Sequence, residues 1–259
     1  MCKKFWCVFA GICSLVLLTL SCLPSSAQSE VKEKPAMYSY VANWQIPRAH
    51  WAEMNAANDA DKAILDKALA DGALIGYGND ESLVHQPDGA THDNWWSSMS
   101  MAGLIKVLNQ FYDSGNVSSP ALDSATRHWD NILVSRYYNW QPGAWKNGYG
   151  HIGSYKLKHD APDDALDVIS KTFVVPVLEK LLADGAIREY EVDTEAIHTA
   201  SPDMFWIVYV ASSPEGLDKV NAAIQDAMKA QPLAGPAFGS MTGSKDHRDE
   251  LVRGDGIYK

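Results

Sequence analysis

Apolar residues recur along the chain at two different spacings. Leu166, Ile169, Phe173, Val177 and Leu181 fall three and four residues apart, which places them on one face of a helix. Pro176 lies inside that stretch and predicts a kink, because proline has no N–H and crowds the preceding turn. Residues 37–45 and 150–158 are instead rich in aromatics and predict strands. Pro47 and Pro162 then open helical stretches, where a missing N–H does no harm. Both of these helices run to Asp-Gly, and Gly72 and Gly185 are free to adopt the left-handed conformation after the last turn. Extended segments follow at 73–84 and 94–101, and again at 186–197 and 204–211. The next helices start near Ala102 and Pro214. Ser213, Pro214 and Glu215 supply a cap, a first-turn proline and an acid suited to the helix dipole. A short extended piece closes each series. The order is strand, helix, strand, strand, helix, strand, the split βαβ arrangement.

That order occurs twice because the chain repeats itself. Leu65-Asp-Lys-Ala-Leu-Ala-Asp-Gly-Ala73 recurs as Leu178-Glu-Lys-Leu-Leu-Ala-Asp-Gly-Ala186, a shift of 113 positions. In the same register Tyr77 meets Tyr190, Asp80 meets Asp193, and His85 meets His198. A local three-residue gap sets Asp93-Asn-Trp-Trp96 against Asp203-Met-Phe-Trp206. The register then returns at Gly103-Leu104 and Gly216-Leu217. His128-Trp-Asp130 and His247-Arg-Asp249 match near the ends. Two copies of one fold are expected, over residues 36–146 and 147–259.

The element order, the repeat length and the Leu-Ala-Asp-Gly-Ala block resemble the dimeric α/β-barrel superfamily. That group includes antibiotic-biosynthesis-type monooxygenases, EthD-like and NIPSNAP-like proteins, and the haem-binding chlorite dismutases. The resemblance spans about residues 36–259 and carries over no catalytic residue. It implies an α+β fold in which two tandem ferredoxin-like βαββαβ units form an intrachain dimeric α/β-barrel. The chain would then be a pseudo-dimer in itself, with any higher oligomer undetermined.

Composition changes this picture mainly at the amino terminus. Residues 1–27 carry Lys3 and Lys4, an apolar run from Phe5 to Leu20, and the small residues Ser25-Ser26-Ala27. That is the layout of a secretory signal cleaved after Ala27, which predicts an exported protein, periplasmic or extracellular. The apolar run is short for a membrane span, and no second one follows. Leu20-Ser21-Cys22 leaves a lipoprotein alternative, although Thr19 stands where that motif has leucine. All four cysteines, Cys2, Cys7, Cys13 and Cys22, lie in this leader, so the mature chain would contain neither disulfide nor thiol chemistry. The leader holds two of the 22 cations and none of the 32 acids, so the mature chain carries 20 cations and a net charge of −12. That balance argues against nucleic acid as a partner, since phosphate binding requires clustered cations.

Chemical motifs are few. Gly148-Tyr-Gly150-His-Ile-Gly153 has the Gly-x-Gly-x-x-Gly spacing but runs into a segment read as strand instead of opening a helix, and there is no phosphate loop, His-Glu-x-x-His or Gly-x-Ser-x-Gly. Gly143, Gly148, Gly150 and Gly153 read as a linker and hairpin between the copies. His128/Asp130 and His247/Asp249 stand two apart, a spacing that puts both side chains on one face of a strand. Each pair suits a carboxylate-oriented imidazole, and a hydrogen bond that ties down a closing strand is the plainer reading. No metal is expected. His85, His198, Tyr77, Tyr190, Trp95, Trp96 and Trp206 are candidate pocket residues. Adjacent Trp95 and Trp96 must point to opposite sides of their strand, one toward the helices and one into the barrel. Core filling is the competing account of these aromatics.

Three functional classes follow. The first is an exported protein that binds or transforms a small, mostly apolar molecule in the barrel interior, as a cofactor-independent monooxygenase or isomerase would. The second is a haem protein using His128, His198 or His247 as axial ligand. The third is a non-catalytic structural or interaction module. Export has its own test. Intact mass of secreted protein should match cleavage after Ala27, with melting unaffected by reductant; diacylglycerol on Cys22 would replace that assignment with a lipid anchor.

Overall fold

Alternation along eight strands sorts the side chains of this protein into two environments, one inside a closed barrel and one under a layer of helices. The computed structural model describes residues 31–199, 202–243 and 245–259. The leader and its four cysteines lie outside the described residues. In the first half the elements are β1 (Met37–Gln45), α1 (Trp51–Ala70), β2 (Gly76–Ser82), β3 (His92–Ser98), α2 (Met101–Ser114), the short α3 (Pro120–Asp123) and β4 (Arg127–Trp140). The second half has β5 (Gly143–Lys156), α4 (Ala165–Val168), α5 (Val175–Ala183), β6 (Ile187–Ile197), β7 (Met204–Ala211), α6 (Pro214–Ala230), α7 (Ala234–Met241) and β8 (Arg248–Tyr258).

The strands close in the order β1-β3-β2-β8-β5-β7-β6-β4, every neighbouring pair antiparallel. Within the first half that order is β4-β1-β3-β2, and within the second it is β8-β5-β7-β6. Both are the arrangement of a ferredoxin-like unit. The halves join through β2–β8 and β4–β6, so each contributes one first-to-second seam. This is a tandem α+β barrel of ferredoxin-like units within one chain.

Helices cover the outer face of each half. In the first, Tyr40, Ala42, Tyr77 and Trp96 pack against Leu65, Leu69, Leu104, Val107 and Phe111. In the second, Tyr137, Ile187, Tyr190, Val192, Phe205 and Tyr209 pack against Ile169, Leu178, Leu181, Leu182 and Val220. Each fully buried side chain of this size contributes roughly 1.5–3 kcal/mol, so these two layers supply most of the stability. The repeat is visible in the contacts. Tyr77 donates to Asp66 at 2.5 Å and Tyr190 to Glu179 at 2.6 Å, and Asp66 and Glu179 hold one place in the repeated block. Gly72 and Gly185 follow the last helical turns with φ of +76° and +70°, as the Asp-Gly pattern predicts.

Three expectations change. The three-residue gap before Trp206 is absent from the structure. Tyr77 pairs with Trp96 in β2–β3, and its repeat counterpart Tyr190 pairs with Tyr209 in β6–β7, so Trp96 corresponds to Tyr209 at the full shift of 113. Both rings face the helices. A three-residue slip would exchange inward for outward positions, because side chains alternate with period two. The glycine-rich stretch is not a hairpin linker but most of β5. Its glycines admit Trp145: a Cβ on Gly148 would stand 2.7 Å from that ring, and one on Gly256 of β8 would stand 2.3 Å from it. The kink before Pro176 takes the form of a π-helical segment, Ile169–Val174, between α4 and α5.

A first-half fragment, residues 36–146, would expose two strand edges and the inward faces of four strands. Size-exclusion chromatography should show it dimerising or aggregating. A well-behaved monomer would contradict the pseudo-dimer.

Candidate functional site

The closing strands carry the two His-x-Asp pairs to equivalent places. His128 stacks on Trp44 at 3.6 Å, donates from Nδ1 to the Asn43 carbonyl at 3.0 Å and sets Nε2 3.3 Å from Asp130. His247 stacks on Tyr155 at 4.3 Å, donates from Nδ1 to the Ser154 carbonyl at 3.0 Å and sets Nε2 3.1 Å from Asp249. Each carboxylate has a further neighbour, and here the halves differ. Asp249 also meets Nε2 of His151 at 3.2 Å. In the first half the place of His151 belongs to Tyr40, whose phenol lies close enough to Asp130 to feel its charge. Burial, reinforced by Asp130, raises the Tyr40 pKa, so this tyrosine stays neutral.

Each trio borders a cavity between sheet and helices. The first-half cavity, about 380 Å³, is lined by Trp44, Met54, Trp96, Phe111, His128 and Asp130 among others. Its second-half counterpart, about 450 Å³, is lined by His151, Tyr155, Tyr209, His247 and Asp249 on the sheet side. Phe173, Val177, Ile224, Met228 and Phe238 form its helix side. The π-helical segment contributes Thr172, Phe173 and Val174 to that wall. His151 Nδ1 is buried without a hydrogen-bond partner. Burial holds the His151 imidazole below its ordinary pKa; Asp249 opposes that shift and His247 adds to it.

A third cavity, about 470 Å³, occupies the barrel interior. Trp95 and Trp206 point into it, whereas Trp96 turns outward, so the adjacent tryptophans do divide between the two faces. The interior is not the mostly apolar space expected of a ligand pocket. Asp80, Asp93, Glu189, Glu191, Asp193 and Glu250 line it beside Tyr258. The cause is strand alternation, which sends positions 189, 191 and 193 of β6 inward together. Burial raises all six carboxyl pKa values; Asp80 is pushed up to about 7.

The other candidates lie elsewhere. Tyr77 and Tyr190 face the helices and are held by Asp66 and Glu179. His85 is exposed and tilts against Trp51 at 5.1 Å, and His198 is exposed beyond β6. Neither histidine lines one of these cavities. His151 and the inward acids went unremarked in the sequence. The alternate acids Glu189, Glu191 and Asp193, in a segment already read as a strand, were the available signal.

Haem needs an imidazole nitrogen free for iron and cations near its carboxylates. His128 and His247 place Nδ1 on a backbone carbonyl and Nε2 within 3.3 and 3.1 Å of a carboxylate, and His198 stands outside the cavities. His151 keeps only Nδ1, the nitrogen crowded by its own Cβ. No lysine or arginine lines either outer cavity among the described residues. This residue set does not fit haem. Among the described residues, no cluster of three or more His, Asp or Glu has a metal-binding arrangement.

No family model and no curated protein matches the chain. Solved structures do. A protein named as a candidate monooxygenase from Lactobacillus acidophilus superposes with a TM-score of 0.58 at 10% identity, covering 85% of this chain and 94% of that one. A second candidate monooxygenase, from Fusobacterium nucleatum, gives 0.57 at 7% identity, with 87% and 95% covered. An anthrone oxidase-like protein gives 0.52 at 10%, with 86% and 92% covered. The likeness is one of fold: a closed α/β barrel built from two ferredoxin-like units in one chain.

The inward acids set a pH dependence. Each carboxyl with a raised native pKa binds its proton more tightly folded than unfolded, so its contribution is most favourable below about pH 4 and declines as pH rises through the native value. For Asp80 that window ends near 7. Other acids, paired on the surface, oppose this trend at low pH. Melting temperature should therefore fall between about pH 5 and 8, and Asp93→Asn should flatten the fall. A melting temperature rising across that range would contradict a buried acidic interior.

Proposed function

We propose that this protein is exported and binds a small apolar molecule in the outer cavity of its second half, where His151 acts as a proton acceptor. The observation that carries the reading is the carboxylate of Asp249 set between His151 and His247 at 3.2 and 3.1 Å on the wall of a mostly apolar cavity. An imidazole that donates Nε2–H to a carboxylate keeps its lone pair on Nδ1. In His151 that atom is buried and has no partner.

A flat apolar ligand carrying an acidic C–H or O–H group suits this wall. Phe173, Phe238 and Tyr155 supply apolar and aromatic surface. Deprotonation by His151 would leave an anion near Tyr155 and Tyr209, whose hydroxyls remain protonated because burial raises both to about 12. That is the first step required of a cofactor-independent oxygenase or isomerase acting on an enolisable substrate. The names carried by the structural neighbours, monooxygenase and anthrone oxidase-like, agree with such chemistry. The leader supports export, because it has the order of a secretory signal.

Anthrone is a suitable probe. The mature protein should bind it, quenching intrinsic tryptophan or tyrosine fluorescence, and should accelerate its oxygen uptake. His151→Ala should reduce turnover at least tenfold while leaving binding within about threefold. Because burial holds the His151 pKa below that of an ordinary imidazole, turnover should survive acidification to a lower pH than an unperturbed histidine base would allow, and then fail. Absence of anthrone binding, or turnover unchanged in His151→Ala, would overturn the assignment.

A further inference from the structure

Six acidic side chains share the barrel interior, and they are not neutralised from within. Among the described residues none of Asp80, Asp93, Glu189, Glu191, Asp193 and Glu250 forms an ion pair with lysine, arginine or histidine. Hydrogen bonds account for some of them. Trp95 donates to Asp80 at 3.0 Å, Tyr258 donates to Glu191 at 2.6 Å, and Ser135 donates to Asp193. Asp93 is different. It is 5% exposed, it lines the cavity, and neither carboxyl oxygen has a partner. Glu189, also 5% exposed, leaves Oε2 unpartnered. Buried polar atoms without partners are rare in folded proteins, since each forfeits its hydration. Two such carboxylates facing one cavity are groups in place for a donor that enters it.

The donor's shape follows from the strands. Glu189, Glu191 and Asp193 alternate along β6, which spaces their positions by about 6.7 Å. Asp80 and Asp93 are directly paired across β2 and β3. Asp80 acts electrostatically on Glu189, so the two walls face each other across the interior. A ligand would meet a line of acids on one wall and a paired set on the other. The exposed Arg127 and Thr199 mark the open end, and Tyr258, 2% exposed, lies at the closed one. Aliphatic lining between the acids, including Val41, Ile152 and Val208, suits methylene segments.

We propose that the barrel interior binds a linear aliphatic diamine or polyamine, with ammonium groups on Asp93 and Glu189 and methylenes along the apolar lining. With one ammonium on Glu189 at the β6 wall and another on Asp93 of the facing wall, further cations three or four methylenes apart match the spacing of Glu189, Glu191 and Asp193 along β6. A single hydrated metal ion would use neither that length nor the apolar segments. This site is separate from the outer cavity and does not depend on the reading given to it.

Isothermal titration of the mature protein near pH 7.5 tests the assignment, with spermidine and 1,4-diaminobutane as probes and 1,4-butanediol and calcium chloride as controls. Spermidine should bind with 1:1 stoichiometry, and its heat should vary with buffer ionisation because protons leave the carboxyls. Butanediol should give no heat. Asp93→Asn and Glu189→Gln should each weaken spermidine at least tenfold. Without amine, Asp93→Asn should melt about 2–4 °C higher than the parent, since it removes a buried unpartnered acid. Glu250→Gln, at a less buried position, gives a third variant should a deeper one fail to fold. Absence of amine binding, equal affinity in folded variants, or calcium displacing spermidine at equal concentration would each overturn the proposal.

Discussion

Closure of the sheet is the constraint on which the rest of this molecule depends. A ferredoxin-like unit buries one face of its four strands under helices and leaves the other face, with two edges, exposed. Here β2 meets β8 and β4 meets β6, so each half satisfies the edges of the other and both bare faces become one interior. Strand alternation then assigns every side chain to an environment. Tyr40, Tyr77, Trp96, Tyr190 and Tyr209 go outward to the helices; Trp95, Asp93, Glu189 and Glu191 go inward. The outer cavities and the acidic interior follow from one geometric act.

Much of this was legible in the chain. The Leu-Ala-Asp-Gly-Ala repeat exposed the duplication because it combines a buried helix face with a left-handed turn, and both tolerate few substitutions. Trp95 and Trp96 announced their division because adjacent residues on a strand cannot share a face. The match of Trp96 with Trp206 misled for the opposite reason. Chemical similarity suggested a three-residue gap, whereas the strand pairings make Tyr209 the counterpart of Trp96. The glycines of β5 suggested a turn because their purpose, room for Trp145, depends on a ring that reaches across from the same strand and on Gly256 of another. His151 was hidden among those glycines. Its partner Asp249 lies on β8, and no local spacing could bring the two together.

The duplication is also where the halves part company chemically. Each keeps an aromatic ring, a stacked histidine and an aspartate in the same geometry. One further position then decides what the carboxylate meets. Tyr40 in the first half is a phenol whose pKa burial raises, so it offers a hydrogen bond and no base. His151 in the second is an imidazole kept neutral by burial, so it offers a lone pair. The helices diverge with the site. α1 runs unbroken for 20 residues, while its counterpart opens into a π-helical segment that lines the second-half cavity. A symmetrical scaffold thus presents two pockets of similar size and different chemistry.

Such an arrangement also explains how the interior can hold acids at all. A buried unpartnered carboxyl opposes folding, and this chain gathers six carboxyls in one cavity. No disulfide offsets that cost among the described residues, which contain no cysteine. The two aromatic and aliphatic layers outside the barrel do. They hold Leu104, Val107, Ile169, Ile187, Phe205 and Val220 at full burial, so packing there is independent of what fills the interior. Stability and interior chemistry are therefore separated by the thickness of one sheet. The outer faces carry the fold, and the inner face is left free to be polar. Substitutions among the inward acids should alter charge and ligand preference while the helical layers keep the barrel closed.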